Sequence, residues 1–172
     1  MFPTPYIGLP AVADNLVEIL DQLGRPLLLM PKQAALSRNM PHRMVLVSLY
    51  ERGGRLWLAR SRRQKSDTPS CWDFSARGQV LAGEARAGAV MRLLEETLGL
   101  ADVHPVQRAV LPPLVFEGAW RFTLFTVVRR RGQISSGAEG MLVDKDELAG
   151  LAEHFSDFLS PCLLWCVQNG YL

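Results

Sequence analysis

Residues Gly78 to Leu100, GQVLAGEARAGAVMRLLEETLGL, constrain this chain more than any other stretch. Ala87, Val90, Met91 and Leu94 recur at helical spacing, which predicts a helix of roughly four turns behind a glycine-flanked turn at Gly78. Gly83 and Glu84 mark the turn and the helix start, with an acid at the positive end of the helix dipole. Gly99 is placed to stop the helix in the left-handed conformation that a residue without Cβ adopts freely. Glu84, Gly88, Arg92 and Glu96 succeed one another at helical intervals and form one row on the helix surface. Carboxylates at the ends of that row can share a hard cation such as Mg²⁺, which takes oxygen ligands and keeps several waters. Arg92 can orient them through bidentate bonds. Spacing alone reads equally well as an amphipathic helix with solvated charges on its outer face.

The stretch resembles the Nudix box. That pattern runs Gly, any five residues, Glu, any seven, Arg-Glu, an aliphatic, any residue, Glu-Glu, any residue, Gly and an aliphatic. Gly78, Glu84, Arg92, Leu94, Glu96, Gly99 and Leu100 match it without a gap. Leu93 and Thr97 stand where the pattern has glutamates, so the box is degenerate. Glu95 is offset by one residue, about 100° around the helix axis. It substitutes for a missing acid only if the helix end is rearranged around Thr97 and Leu98. In the family these glutamates hold divalent metal and, in many members, activate water. The resemblance therefore implies Glu84 and Glu96 as ligands for Mg²⁺ or Mn²⁺, with Glu96 and Arg92 in the catalytic machinery. Gly78, Gly83 and Gly99 would supply the loop geometry.

The segments around the box are similar to the isopentenyl-diphosphate-isomerase-like branch of that superfamily. Val17 to Leu20, a turn with Asp21 and Gly24, Leu27 to Met30, and His42-Arg43 follow its opening order. Arg60-Ser61-Arg62-Arg63-Gln64-Lys65, Pro69 and Trp72-Asp73-Phe74-Ser75 follow its Arg-Ser, Lys, Pro, Trp-Asp run. Arg60, Arg62 and Lys65 would cluster positive charge at the mouth of the site. A guanidinium pairs phosphate oxygens bidentately and a lysine acts as a point charge, so a small-molecule diphosphate is the implied substrate. Without the resemblance, a solvated basic loop reads as well. Arg77 and Gln79 flank Gly78 where the branch's isomerases carry Cys and His. Cys71 lies upstream and does not align, so the thiol for isomerase proton transfer is missing. His42 is left as structural or substrate-facing. Nudix proteins often carry a further acid near the end of the domain, and Glu139 is the candidate for metal ligand or general base. A surface glutamate is the alternative there.

The resemblance implies an α/β fold, the Nudix α/β/α sandwich: a central mixed sheet with the box helix on one side and the C-terminal helix on the other. Residues 1–15 read as an N-terminal arm and 16–172 as one domain. The implied activity is hydrolysis of a diphosphate linkage with Mg²⁺. The alternative is a diphosphate- or nucleotide-binding module with weakened catalysis. Members of the family often pair, so a homodimer is the implied assembly.

Composition bounds the remaining classes. A hydrophobic share of 48% against 21% charged residues is the balance of a folded chain. A net charge of +2 is too weak for nucleic-acid binding by bulk charge. No apolar run reaches the ~18 residues of a membrane span, and no signal peptide is evident. Three cysteines without a framework pattern, Cys71, Cys162 and Cys166, read as reduced thiols in a cytoplasmic protein, the last two packed in the core.

Along the chain, the residues predict a hairpin over Leu16–Leu20 and Leu27–Met30, a short helix at Pro31–Ser37, and strands at Met44–Tyr50 and Leu56–Ala59. Further strands are expected at Val103–Leu111 and at Arg121–Val128, the latter buried on both faces. A polar loop spans Gly132–Gly137, and Met141–Val143 follows Glu139. Asp144 and Glu147 form a capping-box start for a helix to about Leu151. A last helix is expected from about Asp157 to Asn169.

Overall fold

The computed structural model describes residues 15–61, 71–114, 120–129, 134 and 137–172. The expected α/β fold is present, with a mixed seven-stranded sheet between helices. Strand β3 (Arg43–Tyr50) and strand β8 (Arg121–Val128) run parallel at its centre, paired from Arg43↔Arg121 to Tyr50↔Val128. Both are near-continuous apolar runs, as suits strands covered on both faces. β4 (Leu56–Arg60), β5 (Trp72–Asp73), β6 (Ala76–Gln79), β7 (Val106–Val110) and β9 (Gly140–Val143) complete the sheet in antiparallel pairings.

One face of the sheet carries Val45, Val47 and Leu49 against Val90, Leu93 and Leu94 of helix α2 (Arg86–Leu98). The other carries Met44, Leu46 and Phe122 against Cys162, Leu163 and Cys166 of helix α4 (Pro161–Gln168). The two cysteines are fully buried core residues, as their spacing suggested. A hairpin of β1 (Leu16–Leu20) and β2 (Pro26–Pro31) stands beside the main sheet with helix α1 (Lys32–Ser37). Asp21 builds its turn by accepting from the Leu23 and Arg25 amides. A Glu18–Arg43 ion pair fastens the hairpin to β3.

Helix α3 (Lys145–His154) starts with the expected capping box: Glu147 N–H donates to Asp144, and Asp144 N–H donates to the Glu147 carboxylate. It runs through Gly150 and past Leu151 to His154, with Phe155 as its C-cap. The last helix does not begin at Asp157. A 3₁₀ turn occupies Ser156–Phe158, Leu159 bridges to Trp72, and Ser160 caps α4 with Pro161 in its first turn. Proline lacks an N–H and clashes with the preceding turn, so a helix can begin at Pro161 but cannot run through it.

Two short strands, β5 and β6, were not expected. Gly78 lies inside β6, paired with Val45, and not in a loop. The reason for glycine there is packing: a Cβ would come within 2.6 Å of a Leu93 methyl. The edge of β3 pairs with β6 over Met44–Val47 and with β4 only at Leu49 and Tyr50. The sheet therefore forks at Ser48. Ser75 seals the fork, accepting from Leu49 N–H at 2.8 Å and donating to the Trp57 carbonyl. Among the described residues no helix is long and apolar enough to cross a membrane.

Candidate active site

A cleft of about 470 Å³ opens where the sheet forks. Arg60 at the end of β4, Asp73 and Arg77 near the fork, Glu96 and Thr97 from the last turn of α2, and Glu139 just before β9 all line it. Glu96, Glu139 and Arg60, three of the residues singled out by sequence, are thus brought to one cleft. Arg62 and Lys65 lie outside the described residues.

Glu84 does not join that group. Its carboxylate accepts from Arg92 Nε at 2.8 Å, from Arg92 Nη2 at 3.0 Å and from the Leu81 amide at 2.9 Å. Arg92 also donates to the Gln79 carbonyl at 3.0 Å and reaches Glu96 at 3.5 Å. Burial by itself would raise the Glu84 pKa. The Arg92 bonds, the Leu81 amide and the Arg92 charge outweigh burial and hold the carboxyl below its ordinary value. The bidentate pair is the orienting contact expected of Arg92. What it does is staple the turn at Gly83 and the end of β6 to the middle of α2. Glu84 itself precedes the helix, whose N-cap is Ala85. Gly83 adopts φ +78° and Gly99 φ +68°, left-handed backbone that favours glycine at both ends of the motif.

The positions that depart from the box are accounted for. Leu93 is buried against Gly78, so the apolar side chain fills the notch that a missing Cβ leaves. The expected apolar side of the helix is rotated accordingly: Ala89, Val90, Leu93, Leu94 and Leu98 are buried, while Met91 is 45% exposed. Thr97 donates to the Leu93 carbonyl at 2.6 Å. Helix α2 stays regular to Leu98 and closes with the Gly99 amide on the Glu95 carbonyl, so the helix end is not rearranged. Glu95 remains exposed on the outer surface.

His42 is structural. It is fully buried, with ring Nδ1 2.7 Å from the Met40 carbonyl. A carbonyl only accepts, so Nδ1 carries the proton and Nε2 accepts from the Gln79 amide at 3.1 Å. Gln79 also donates to the Lys32 carbonyl at 3.1 Å, which joins β6 to α1. Burial lowers the His42 pKa and keeps the ring neutral.

Sequence reasoning noted Asp73 and Arg77 without giving them a role in the cleft. Asp73 accepts from Ser160 Oγ at 2.7 Å, from the Phe74 amide at 2.8 Å and from Arg77 at 3.3 Å. The partner Ser160 lies far along the chain, so no local signal could have revealed the cluster.

A mixed sheet flanked by helices, with this loop-helix motif at the mouth of a charged cleft, is the architecture of a Nudix domain. The model of the NUDIX domain family matches residues 40–160, and the chain belongs to that family. Over 134 residues it is 31% identical to an uncharacterized Nudix hydrolase of Streptomyces coelicolor, SCO1686, covering 77% of this chain and 74% of that one. Over 88 residues it is 34% identical to an uncharacterized Nudix hydrolase of Pseudomonas aeruginosa, PA4841; the match covers 51% of this chain and about half, 52%, of that protein. The fold is shared with DR0079 of Deinococcus radiodurans, at a TM-score of 0.70 and 17% identity, over 91% of this chain and 99% of that one.

Members of the family generally use divalent cations. Among the described residues, no three of His, Cys, Asp and Glu are grouped to hold a metal ion. Glu84 is committed to Arg92, and Leu93 and Thr97 offer no carboxylate. The donor set does not make a complete protein-only cation site. The carboxylates that line the cleft with Arg60, those of Glu96 and Glu139, are oxygen donors of the kind a hard cation takes, and such a cation completes its shell with water and ligand oxygens.

Proposed function

We propose that this chain is a Nudix-type hydrolase that cleaves a diphosphate linkage in a small-molecule nucleoside or other diphosphate derivative. The observation that carries this reading is the convergence of Glu96, Glu139 and Arg60 on one cleft at the fork of the sheet. Arg60 binds a phosphate group, aided by Arg62 and Lys65, which the sequence assigns to the same loop. A Glu139 carboxylate oxygen takes the proton from the attacking water as its oxygen bonds to phosphorus and the P–O bond to the leaving phosphate breaks. Glu96 lines the same cleft, with Arg92 3.5 Å from its carboxylate. A bound Mg²⁺ or Mn²⁺, with Glu96 among its ligands, would offset charge on the phosphoryl oxygens. Glu84 acts through Arg92 as a positioning residue. Arg77 stands where the related isomerases have their thiol, which argues against isomerisation. The cysteine content supports a cytoplasmic setting.

Leu93 and Thr97 favour one second reading, a module that binds such diphosphates without turning them over. Fewer carboxylates mean lower cation affinity. A panel of nucleoside, sugar and prenyl diphosphates, each titrated with Mg²⁺ and Mn²⁺, separates the two. The hydrolase reading expects phosphate-containing products that vanish in Glu96→Gln. Binding without turnover at every metal concentration supports the module. Turnover that persists undiminished in both Glu96→Gln and Glu139→Gln overturns the site assignment.

A further inference from the structure

Arg77 occupies an unusual place for a guanidinium. Ala76 and Gly78 face α2, so Arg77, alternating with them along β6, faces the opposite side of the sheet. It is paired with Leu46 in the register of β3 and lies with its guanidinium 5.5 Å above the Phe122 ring. Its side chain is only 19% exposed. A charge set on an apolar sheet face is costly unless it is paired.

Asp73 supplies pairing, yet Asp73 does not depend on it. Ser160 and the Phe74 amide already hold that carboxylate with shorter bonds, and the Arg77 contact at 3.3 Å is the longest of the three. A partly buried ion pair of this kind is weak evidence for stability, since apolar residues of similar volume often serve as well. What sets Arg77 apart is that it lines the same cleft as Arg60, Glu96 and Glu139. Arg60 is braced in a similar way, its guanidinium 5.6 Å above the Trp72 ring. Two arginines, each laid on an aromatic face, are thus presented to one cavity from β4 and from β6. A planar guanidinium held this way loses little freedom on binding and matches the geometry of phosphate oxygens.

We infer that Arg77 is an anion-binding residue of the cleft, gripping a phosphate or diphosphate oxygen of the ligand while Asp73 and Phe122 fix the guanidinium plane. The inference rests on the reading of this cleft as the diphosphate site and adds to it the group that recognises the anion from β6.

The test is calorimetric titration of the full chain with inorganic pyrophosphate in EDTA, so that no cation contributes. Arg77→Gln should weaken binding about tenfold or more, the loss of one charge-assisted contact. Arg77→Lys keeps the charge without the planar fork and should fall between. Nitrogen-15 spectra of the wild-type chain provide a measurement that needs no stable variant: the Arg77 Nε–H resonance should move as pyrophosphate saturates. Affinity in folded Arg77→Gln within about twofold of wild type, an Arg77 resonance that stays still, or no binding by the wild type at millimolar pyrophosphate overturns the inference. Failure of the hydrolase reading shows elsewhere, as absent turnover with pyrophosphate binding and its Arg77 dependence intact.

Discussion

Glu84→Gln separates a carboxylate that holds the fold from one that holds a cation. The substitution keeps the shape and removes the charge. Glu84 accepts three hydrogen bonds, Arg92 Nη2 and Leu81 N–H on one oxygen and Arg92 Nε on the other. Glutamine has one acceptor oxygen. In its better orientation it keeps the pair on that oxygen and turns its own NH₂ against Arg92 Nε–H, so at least one charged bond is lost. Such bonds contribute about 1.5–3 kcal/mol. The side chains are 26% (Arg92) and 19% (Glu84) exposed, so water recovers part of this and the lower half of the range applies. The expected cost is about 2 kcal/mol, or roughly 4–8 °C in Tm for a domain of this size. Urea unfolding at neutral pH in EDTA measures it. Because the folded carboxyl sits below its ordinary 4.5, the contribution is complete above that value and is lost as pH falls through the lower folded value. The gap between wild type and variant should therefore hold steady above about pH 5 and close in more acid solution. A variant as stable as wild type in EDTA, losing stability only relative to metal-loaded wild type, would refute the staple and return Glu84 to the cation.

Gly78→Ala forces a methyl to 2.6 Å from Leu93 and should cost about 1–3 kcal/mol. Leu93→Ala should cost about 2–4 kcal/mol, but the double variant should be more stable than the sum by about 1 kcal/mol, because the new methyl enters the vacated space; strictly additive costs in urea unfolding would sink this account of the departure at Leu93. His42→Phe should flatten the acid limb of the stability profile: with the folded pKa below the ordinary 6.5, stability is intact above that value and declines as pH falls beneath it. Unfolding midpoints measured from pH 7.5 down to about pH 5 check this, and a slope unchanged by the substitution means that another group sets it.

Much of the architecture was legible because its signals are local. The apolar runs of β3 and β8 name themselves as central strands, the Asp144 and Glu147 pair announces the start of α3, and Gly99 closes α2 where a left-handed cap belongs. β5 and β6 were not legible, since short strands at a fork have no period to read. The start of α4 was missed although Ser160-Pro161 carries the signal in two adjacent residues.

The sequence by itself determined the loop-helix pattern, the presence of Leu93 and Thr97 within it and the residues available for chemistry, because those depend only on identity and spacing. Only the tertiary structure decided how the remaining charges are spent. Glu84 and Glu96 are equivalent by spacing, yet one is bound to Arg92 and Leu81 while the other reaches the cleft. That difference depends on where the fork in the sheet leaves open space and on which partners arrive from distant strands, and side chains compete for such partners only once the chain is folded.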